Sequence, residues 1–246
     1  MNRFFIPSEL ITPERITIPD DVSAQIRKVL RLKEGTLVQF LDNLGWVYTG
    51  EIHYIDNKPV YADMLEKHLS ESEPDCSISL YVGLTQREKF EWILQKCTEA
   101  GASEFIPMIT ERSLIRKPSD INGKQERWEK ILKEASEQCG RGKIPKLSPP
   151  VYFQDAAETG SKADIALFCW ESEKQKTIHE VFKDSANKKA SVSLMIGPEG
   201  GFSVGEASLA SEKQWTPVTL GKRIYRMETA ALAAVILSLY ETEYLI

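Results

Sequence analysis

Segments typical of β-strands and of helices alternate from about residue 76 onward, and this alternation limits the fold more than any other feature. The predicted strands cover 78–83, 105–109, 165–170, 192–196 and 218–220. The predicted helices cover a run around 90–97 and the stretches 124–139, 174–184, 204–213 and 228–242. Because strands alternate with helices, we expect an α/β domain in which helices cover a mostly parallel sheet.

The first 70 residues follow a different pattern, with short strands expected at 38–41, 46–52 and 59–62 around one brief helix. Residues 70–75 (SESEPD) are polar, acidic and interrupted by proline, which is the composition of a linker. We therefore predict two domains, covering residues 1–72 and 73–246.

A loop with three glycines follows one of the predicted strands and precedes a helix. Gly197, Gly200 and Gly201 lie close together, and Ser203 and Glu206 have the spacing of a helix capping box. Glycines let a ligand approach the backbone closely, so we favour a ligand-binding loop over an ordinary tight turn. The spacing matches neither a Walker A loop nor the GxGxxG loop of dinucleotide folds, which disfavours nucleotide hydrolysis and hydride transfer.

The predicted strand 218–220 also ends at a glycine, Gly221, before a helix. We expect the two strands to be neighbours in a parallel sheet, so that both loops lie beyond the carboxyl ends, where such sheets bind ligands. Lys222, Arg223 and Arg226 flank the second loop. Isolated cations usually form a solvated face, but three beside a glycine loop favour an anionic partner.

Charge is unevenly distributed along the chain. The whole chain has 31 Lys and Arg against 36 Asp and Glu, and this net charge of −5 alone argues against binding to a polyanion. Residues 110–146 have ten Lys and Arg against six Asp and Glu, or +4, whereas residues 1–72 have eight against eleven, or −3. The acidic chain therefore contains a local basic region, which could bind a polyanion through only a few phosphate contacts.

No metal site or membrane span is expected. The three histidines are far apart, and the four cysteines form no CxxC pair: Cys76, Cys97, Cys139 and Cys169. The longest strongly apolar run, 230–237, is shorter than the roughly 18 residues that a membrane span needs. The amino terminus has no continuous apolar stretch of the kind found in secretory signals, and we expect a cytoplasmic protein.

Several motifs together resemble the RsmE family of 16S ribosomal RNA uridine-N3 methyltransferases, within the SPOUT class, over nearly the whole chain. The most specific are IGPEGGFS at 196–203 and LGKRIYRMETA at 220–230. Gln25, Tyr225 and Met227 depart from the family pattern. Weaker motifs are RFF at 3–5, VLRL at 29–32, QKCTEAG at 95–101, ERS at 111–113 and EASEQCGR at 134–141.

The resemblance implies a small PUA-like, RNA-binding β-barrel domain, followed by a SPOUT domain whose parallel sheet contains a deep trefoil knot. It also implies S-adenosylmethionine as the cofactor and a homodimer. The cofactor would lie among three loops, and the implied cofactor-binding residues are Trp170, Glu171, Ile196, Gly197, Gly200, Gly201, Leu220, Gly221, Ile224, Tyr225 and Arg226.

The activity implied by the resemblance is methylation of N3 of one uridine in the 16S RNA of the small ribosomal subunit. Such an enzyme must align the base and help to remove the N3 proton. We assign Arg226 and Arg141 to orient the base and stabilise its anion, and Glu199 or Glu228 to accept the proton. The residues expected to contact RNA are Arg3, Lys28, Arg31, Arg112, Arg116, Arg141 and Lys143.

Three other functions stay open from the sequence. The first is methylation of another base, or of transfer RNA, by an enzyme of the same class. The second is a non-catalytic RNA-binding or ribosome-assembly protein, which the intact glycine loops disfavour. The third is a small-molecule transferase, which the amino-terminal domain and the basic loops disfavour.

Overall fold

The computed structural model describes residues 1–54, 60–121, 123–183 and 190–242. By their contacts, the residues form two compact units: Met1–Glu73 with Lys133–Ile144, and Pro74–Leu132 with Pro145–Ile246. The segment Lys133–Ile144 therefore groups with the first unit, although it lies far along the chain. The domain bounds 1–72 and 73–246 stay a prediction.

The first unit contains one five-stranded sheet. Its strands are β1 (Arg3–Phe5), β2 (Arg15–Thr17), β3 (Leu37–Leu41), β4 (Trp46–His53) and β5 (Tyr61–Leu69), in the order β1-β3-β4-β5-β2. Helix α1 (Asp20–Ala24) continues into a π-helical turn at Gln25–Leu30, and a 3₁₀ turn covers Ser8–Leu10. All five strands contribute to one apolar core, as expected for a small barrel-like domain, through residues that include Phe4, Ile16, Phe40, Ile52 and Ala62.

The three strands predicted in this unit are confirmed, but β5 is longer than the predicted strand 59–62, whose first residue lies outside the described residues. Residues 65–69 are exposed, and residues 66–69 pair with β4 through the main chain. An exposed strand end lacks the alternation of buried and exposed side chains on which the prediction depends. Strands β1 and β2 have three residues each, too few to show a pattern.

The second unit is built on a seven-stranded sheet. Its strands are β6 (Ser77–Gly83), β7 (Glu104–Ile109), β8 (Lys146–Leu147), β9 (Val151–Tyr152), β10 (Ile165–Cys169), β11 (Ser191–Ile196) and β12 (Thr216–Val218). Their order is β12-β10-β11-β6-β7-β8, and β9 also pairs with β7. Every pairing among these described strands is parallel, which confirms the predicted α/β class.

In the part of the chain that the structure describes, six helices follow β6: α2 (Arg87–Ala100), α3 (Gln125–Cys139), α4 (Phe153–Gly160), α5 (Ile178–Lys183), α6 (Val204–Glu212) and α7 (Met227–Glu241). A 3₁₀ turn covers Pro118–Ile121. Small residues of α4 and α6, such as Ala156 and Ala210, pack in one core with Phe168 and Met195 of the sheet. Among the described residues, no helix combines the length and the apolar character needed to cross a membrane.

The predicted helix 174–184 is shorter than expected, and α4 was not predicted. Helix α5 begins only at Ile178, and residue 184 lies outside the described residues. The buried residues of α4 have helical spacing, but α4 is only eight residues long and is flanked by the short strand β9. So short a segment gives a weak periodic signal.

An ion-pair network joins helices α2 and α3 within the second unit. The Glu91 carboxylate accepts hydrogen bonds from Arg127 Nε at 2.6 Å, Arg127 Nη2 at 2.8 Å and Arg87 Nε at 2.9 Å. The hydrogen bonds from Arg127, and then those from Arg87, outweigh the opposing effect of burial and lower the pKa of the Glu91 carboxyl to about 2.

We predict that Glu91→Gln lowers the free energy of unfolding at neutral pH by about 1 kcal/mol. The pKa of about 2 in the folded protein lies below the ordinary value of 4.5, so this stabilisation is fully present above pH 4.5 and is lost as the pH falls toward 2. Urea unfolding of both proteins at several pH values measures the effect. A difference in stability that stays constant down to acidic pH would exclude the ionic origin.

Candidate functional site

A cavity of about 560 Å³ lies in the second unit at the carboxyl ends of β10, β11 and β12. It is lined by parts of three loops, at 170–174, 197–202 and 219–226, and by the first turn of α7. Its volume falls within the range of small-molecule binding pockets. Its place at the carboxyl edge of a parallel sheet is where α/β proteins bind ligands.

The three strands that lead into these loops end level with one another. Cys169 at the end of β10 is paired with Ile196 at the end of β11 and with Val218 at the end of β12. Strand β10 lies between the other two, so the prediction that the two glycine-loop strands are direct neighbours is wrong. The loops still meet, because parallel strands in this register end at one edge of the sheet.

The structure brings together all of the residues implied for cofactor binding. The cavity is lined by Trp170, Glu171, Ile196, Gly197, Gly200, Gly201, Leu220, Gly221, Ile224, Tyr225 and Arg226. Their binding role stays a prediction. Lys89 and Lys174 also line the cavity and were missed from the sequence. Lys89 lies on α2, far from the loops along the chain, and has no local motif that would have identified it.

The glycine loop is held by its own backbone and by a helix cap. Ser203 Oγ accepts a hydrogen bond from the Glu206 amide at 3.2 Å, and the Ser203 amide donates one to Glu206 Oε2 at 2.9 Å. These two hydrogen bonds confirm the predicted capping box. Gly201 has a φ of +66°, and a Cβ atom there would lie 2.5 Å from Glu171 Oε1. The loop therefore favours glycine at 201 mainly because of this left-handed conformation, since the Glu171 carboxylate ends a flexible, exposed side chain that can move aside.

We predict that Gly201→Ala destabilises the protein by about 1–2 kcal/mol, because alanine resists the left-handed conformation and the Glu171 carboxylate must move. Gly205→Ala is the matched control, since Gly205 lies within α6 and its new methyl group would meet only Ser203 Oγ, at 3.8 Å. It should be neutral or stabilise the protein by up to about 1 kcal/mol. Urea unfolding compares the two, and equal effects would contradict this account of the loop.

Two glutamates in the cavity have different surroundings. Glu199 accepts a hydrogen bond from Lys89 Nζ at 2.8 Å. Burial alone would raise the pKa of the Glu199 carboxyl, but hydrogen bonding, above all from Lys89, outweighs it and holds this pKa below its usual range. Glu228 lies in the first turn of α7, and its Oε2 atom is buried without a hydrogen-bond partner in the described part of the chain. Glu228 also lines the cavity, and its role as a proton acceptor stays a prediction.

Arg141, predicted as a catalytic residue and as an RNA contact, belongs to the first unit and does not line the cavity. Its side chain is only 4% exposed, and its Nη2 and Nε donate to Glu73 at 2.8 and 3.3 Å. Glu73 Oε1 also accepts the Lys143 amide at 3.1 Å. These contacts assign Arg141 a part in holding the segment Lys133–Ile144 within its unit.

The other residues predicted to contact RNA lie in both units. In the first unit, Lys28 and Arg31 are exposed at the end of the π-helical turn, and Arg3 Nε donates to Gln39 Oε1 at 3.0 Å. In the second unit, Arg112 donates to the glycine loop and Arg116 donates to the Glu111 carbonyl oxygen. Contact of these residues with RNA stays a prediction.

The fold and the cavity together define an α/β domain that binds a small ligand at the carboxyl edge of its sheet, and residues 72–238 match the family model described as an RNA methyltransferase domain. The chain is 34% identical over 233 residues to ribosomal RNA small subunit methyltransferase E of Synechocystis, covering 94% of this chain and 75% of that protein. It is 31% identical over 252 residues to the protein of the same name from Bacillus subtilis, covering 100% and 98%.

A solved structure extends this similarity to three dimensions. Ribosomal RNA small subunit methyltransferase E from Neisseria gonorrhoeae, bound to S-adenosyl methionine, superposes with a TM-score of 0.84 at 27% identity and covers 96% of each chain. The chain therefore belongs to the RNA methyltransferase family that contains ribosomal RNA small subunit methyltransferase E. The resemblance drawn from the sequence motifs is confirmed.

Proposed function

We propose that this protein transfers the methyl group of S-adenosylmethionine to N3 of one uridine in 16S ribosomal RNA. The observation that carries the proposal is the single cavity formed where three level strand ends place their loops together. Its relatives are named as methyltransferases of the small-subunit ribosomal RNA, and one is solved with the cofactor bound. We also propose that the parallel sheet contains a trefoil knot. We propose further that the protein acts in the cytoplasm, where bacteria assemble their ribosomes.

The residues of the cavity fit S-adenosylmethionine. Ile196, Leu220 and Met227 supply apolar surface for an adenine ring, and the glycine loop leaves room for close approach to the backbone. Glu228 lines the cavity, and its buried Oε2 atom has no hydrogen-bond partner among the described residues. When bound, the cofactor supplies an electrophilic methyl group on a sulfonium centre. The protein residues have to bind and orient the two partners and handle the N3 proton.

Cations at the cavity favour a nucleic acid as the acceptor. Lys222, Arg223 and Arg226 line it and are exposed, so they can contact phosphates next to the reacting base. N3 lies on the Watson–Crick edge of uridine, so the base must be unpaired or turned out of a helix before it can react. Arg226 also precedes the first turn of α7, where it can stabilise the negative charge that develops on the base.

A homodimer is part of the proposal. Ile236, Leu237 and Tyr240 of α7 are 42%, 41% and 54% exposed, on a helix whose remaining length is largely apolar. Exposed apolar side chains grouped on one helix are typical of an interaction surface. A second copy of the chain would cover them.

We predict that the purified protein binds S-adenosylmethionine in isothermal titration calorimetry. We also expect mass spectrometry to find N3-methyluridine in 16S RNA from cells with the protein and to find less of it in cells without the protein.

Arg226→Ala should reduce methylation of RNA from the deficient cells by about 100-fold, the range for an electrostatic catalytic group. Absence of cofactor binding would overturn the proposed enzyme, and an unchanged N3-methyluridine level would overturn the proposed base.

Between the two candidate proton acceptors, the surroundings favour Glu228. Glu199 is held in its ionised form by Lys89, 2.8 Å away, and a carboxylate with a lowered pKa is a weak base. Glu228 has an oxygen atom that is buried but unpartnered among the described residues, and it lies in the same cavity. We assign the N3 proton to Glu228 and a loop-stabilising role to the pair of Glu199 and Lys89.

We predict that Glu228→Gln lowers kcat by about 100-fold or more, because glutamine keeps the size of the side chain but cannot take the proton. Glu199→Gln, the comparison variant, should lose less activity than Glu228→Gln. The reverse order of the two variants would assign the proton to Glu199.

A further inference from the structure

Arg112, one of the residues predicted to contact RNA, donates hydrogen bonds to the glycine loop. Its Nη1 atom donates to the Gly200 carbonyl oxygen at 2.7 Å and to the Phe202 carbonyl oxygen at 3.3 Å. These two carbonyls lie on either side of Gly201, the loop residue with φ of +66°. Gly200, Gly201 and Phe202 line the cavity, whereas Arg112 does not.

Each of the two peptide groups that Arg112 contacts is bonded at both ends. In the peptide from Gly200 to Gly201, the Gly201 amide donates to the Pro198 carbonyl oxygen at 2.8 Å. In the peptide from Phe202 to Ser203, the Ser203 amide donates to Glu206 Oε2 at 2.9 Å. With both ends bonded, neither peptide plane can rotate without breaking hydrogen bonds. The backbone that faces the cavity is therefore fixed before a ligand arrives.

A second contact fastens the same two segments together. Glu206, only 8% exposed, accepts the Glu111 amide on Oε1 at 2.8 Å and caps α6 with its other oxygen. Glu111 and Arg112 are consecutive residues that follow β7 closely. Glu111 thus donates a hydrogen bond from its backbone amide to Glu206, the residue that caps α6. Arg112 donates hydrogen bonds from its side chain to the two loop carbonyl oxygens. The hydrogen bonds of Glu111 and Arg112 therefore connect the turn after β7 to the glycine loop and its helix cap.

We propose that Arg112 is a positioning residue that, together with Glu206, holds the glycine loop in the conformation that binds S-adenosylmethionine. This inference rests on the proposed function. Two carbonyl oxygens of the loop accept from one guanidinium nitrogen, Nη1, so the donors of that nitrogen are directed at the loop. Hydrogen bonds from a charged donor are stronger than neutral ones, and preorganisation of this kind raises affinity by removing the cost of ordering the site.

The test measures cofactor affinity by calorimetry, without RNA, on the full chain. Arg112→Ala should weaken binding of S-adenosylmethionine about tenfold, and Arg112→Lys, which can restore one of the two hydrogen bonds, about threefold. Lys117→Ala is the matched control, since it removes a cation from the same segment without touching the loop and should change the affinity less than twofold. Thermal unfolding checks that each variant is folded. If Arg112→Ala does not fold, the cofactor affinity of Arg112→Lys still tests the proposal.

Steady-state kinetics separate positioning from RNA contact. Arg112→Ala should raise the KM for S-adenosylmethionine and leave the KM for RNA unchanged. Unchanged cofactor affinity with a raised KM for RNA would overturn the inference and make Arg112 an RNA contact. Equal losses in Arg112→Ala and Lys117→Ala would also overturn it, because they would indicate a general effect of charge. If the wild-type protein binds no cofactor, the proposed function fails and the inference fails with it.

Discussion

The parallel pairing of β10 with both β11 and β12 is the constraint on which the candidate site depends. Because Cys169 is paired with Ile196 on one side and with Val218 on the other, the three loops start from the same level of the sheet. A slip of one residue in either pairing would shift a loop by about 3.3 Å and turn its side chains to the opposite face. The cavity therefore results from register, and no single loop forms it.

Local sequence patterns cannot specify the register in which these strands pair. The apolar runs of β10 and β11 and the amphipathic face of α2 were enough to predict an α/β domain with a parallel sheet, because burial imposes a period on each element. The position of β10 between the glycine-loop strands could not be predicted, since it depends on packing among segments far apart in the chain. Lys89 reaches the cavity by the same kind of tertiary contact.

The predicted site residues also fall into two groups, those identified by a local motif and those whose surroundings depend on tertiary contacts. Loop residues such as Gly201 and Tyr225 could be selected in advance because short motifs carry them, and the structure gathers them in one cavity. Arg112 and Arg141 were selected for their charge, and both guanidinium groups form hydrogen bonds within the protein. A count of charged residues does not separate groups that face solvent from groups bonded to a carbonyl or a carboxylate. The net charge of −5 is consequently a poor guide to which surface meets RNA.

Three glutamates near the glycine loop illustrate how surroundings give one side chain three different capacities. Glu206 uses both oxygens to accept backbone amides, and Glu199 is paired with a lysine. In Glu228, the Oε2 atom is buried and has no partner in the described part of the chain, at the first turn of a helix whose amino end favours negative charge. Environment thus distinguishes three chemically identical carboxylates by the hydrogen bonds that they already make, as it does in enzymes that use paired acids.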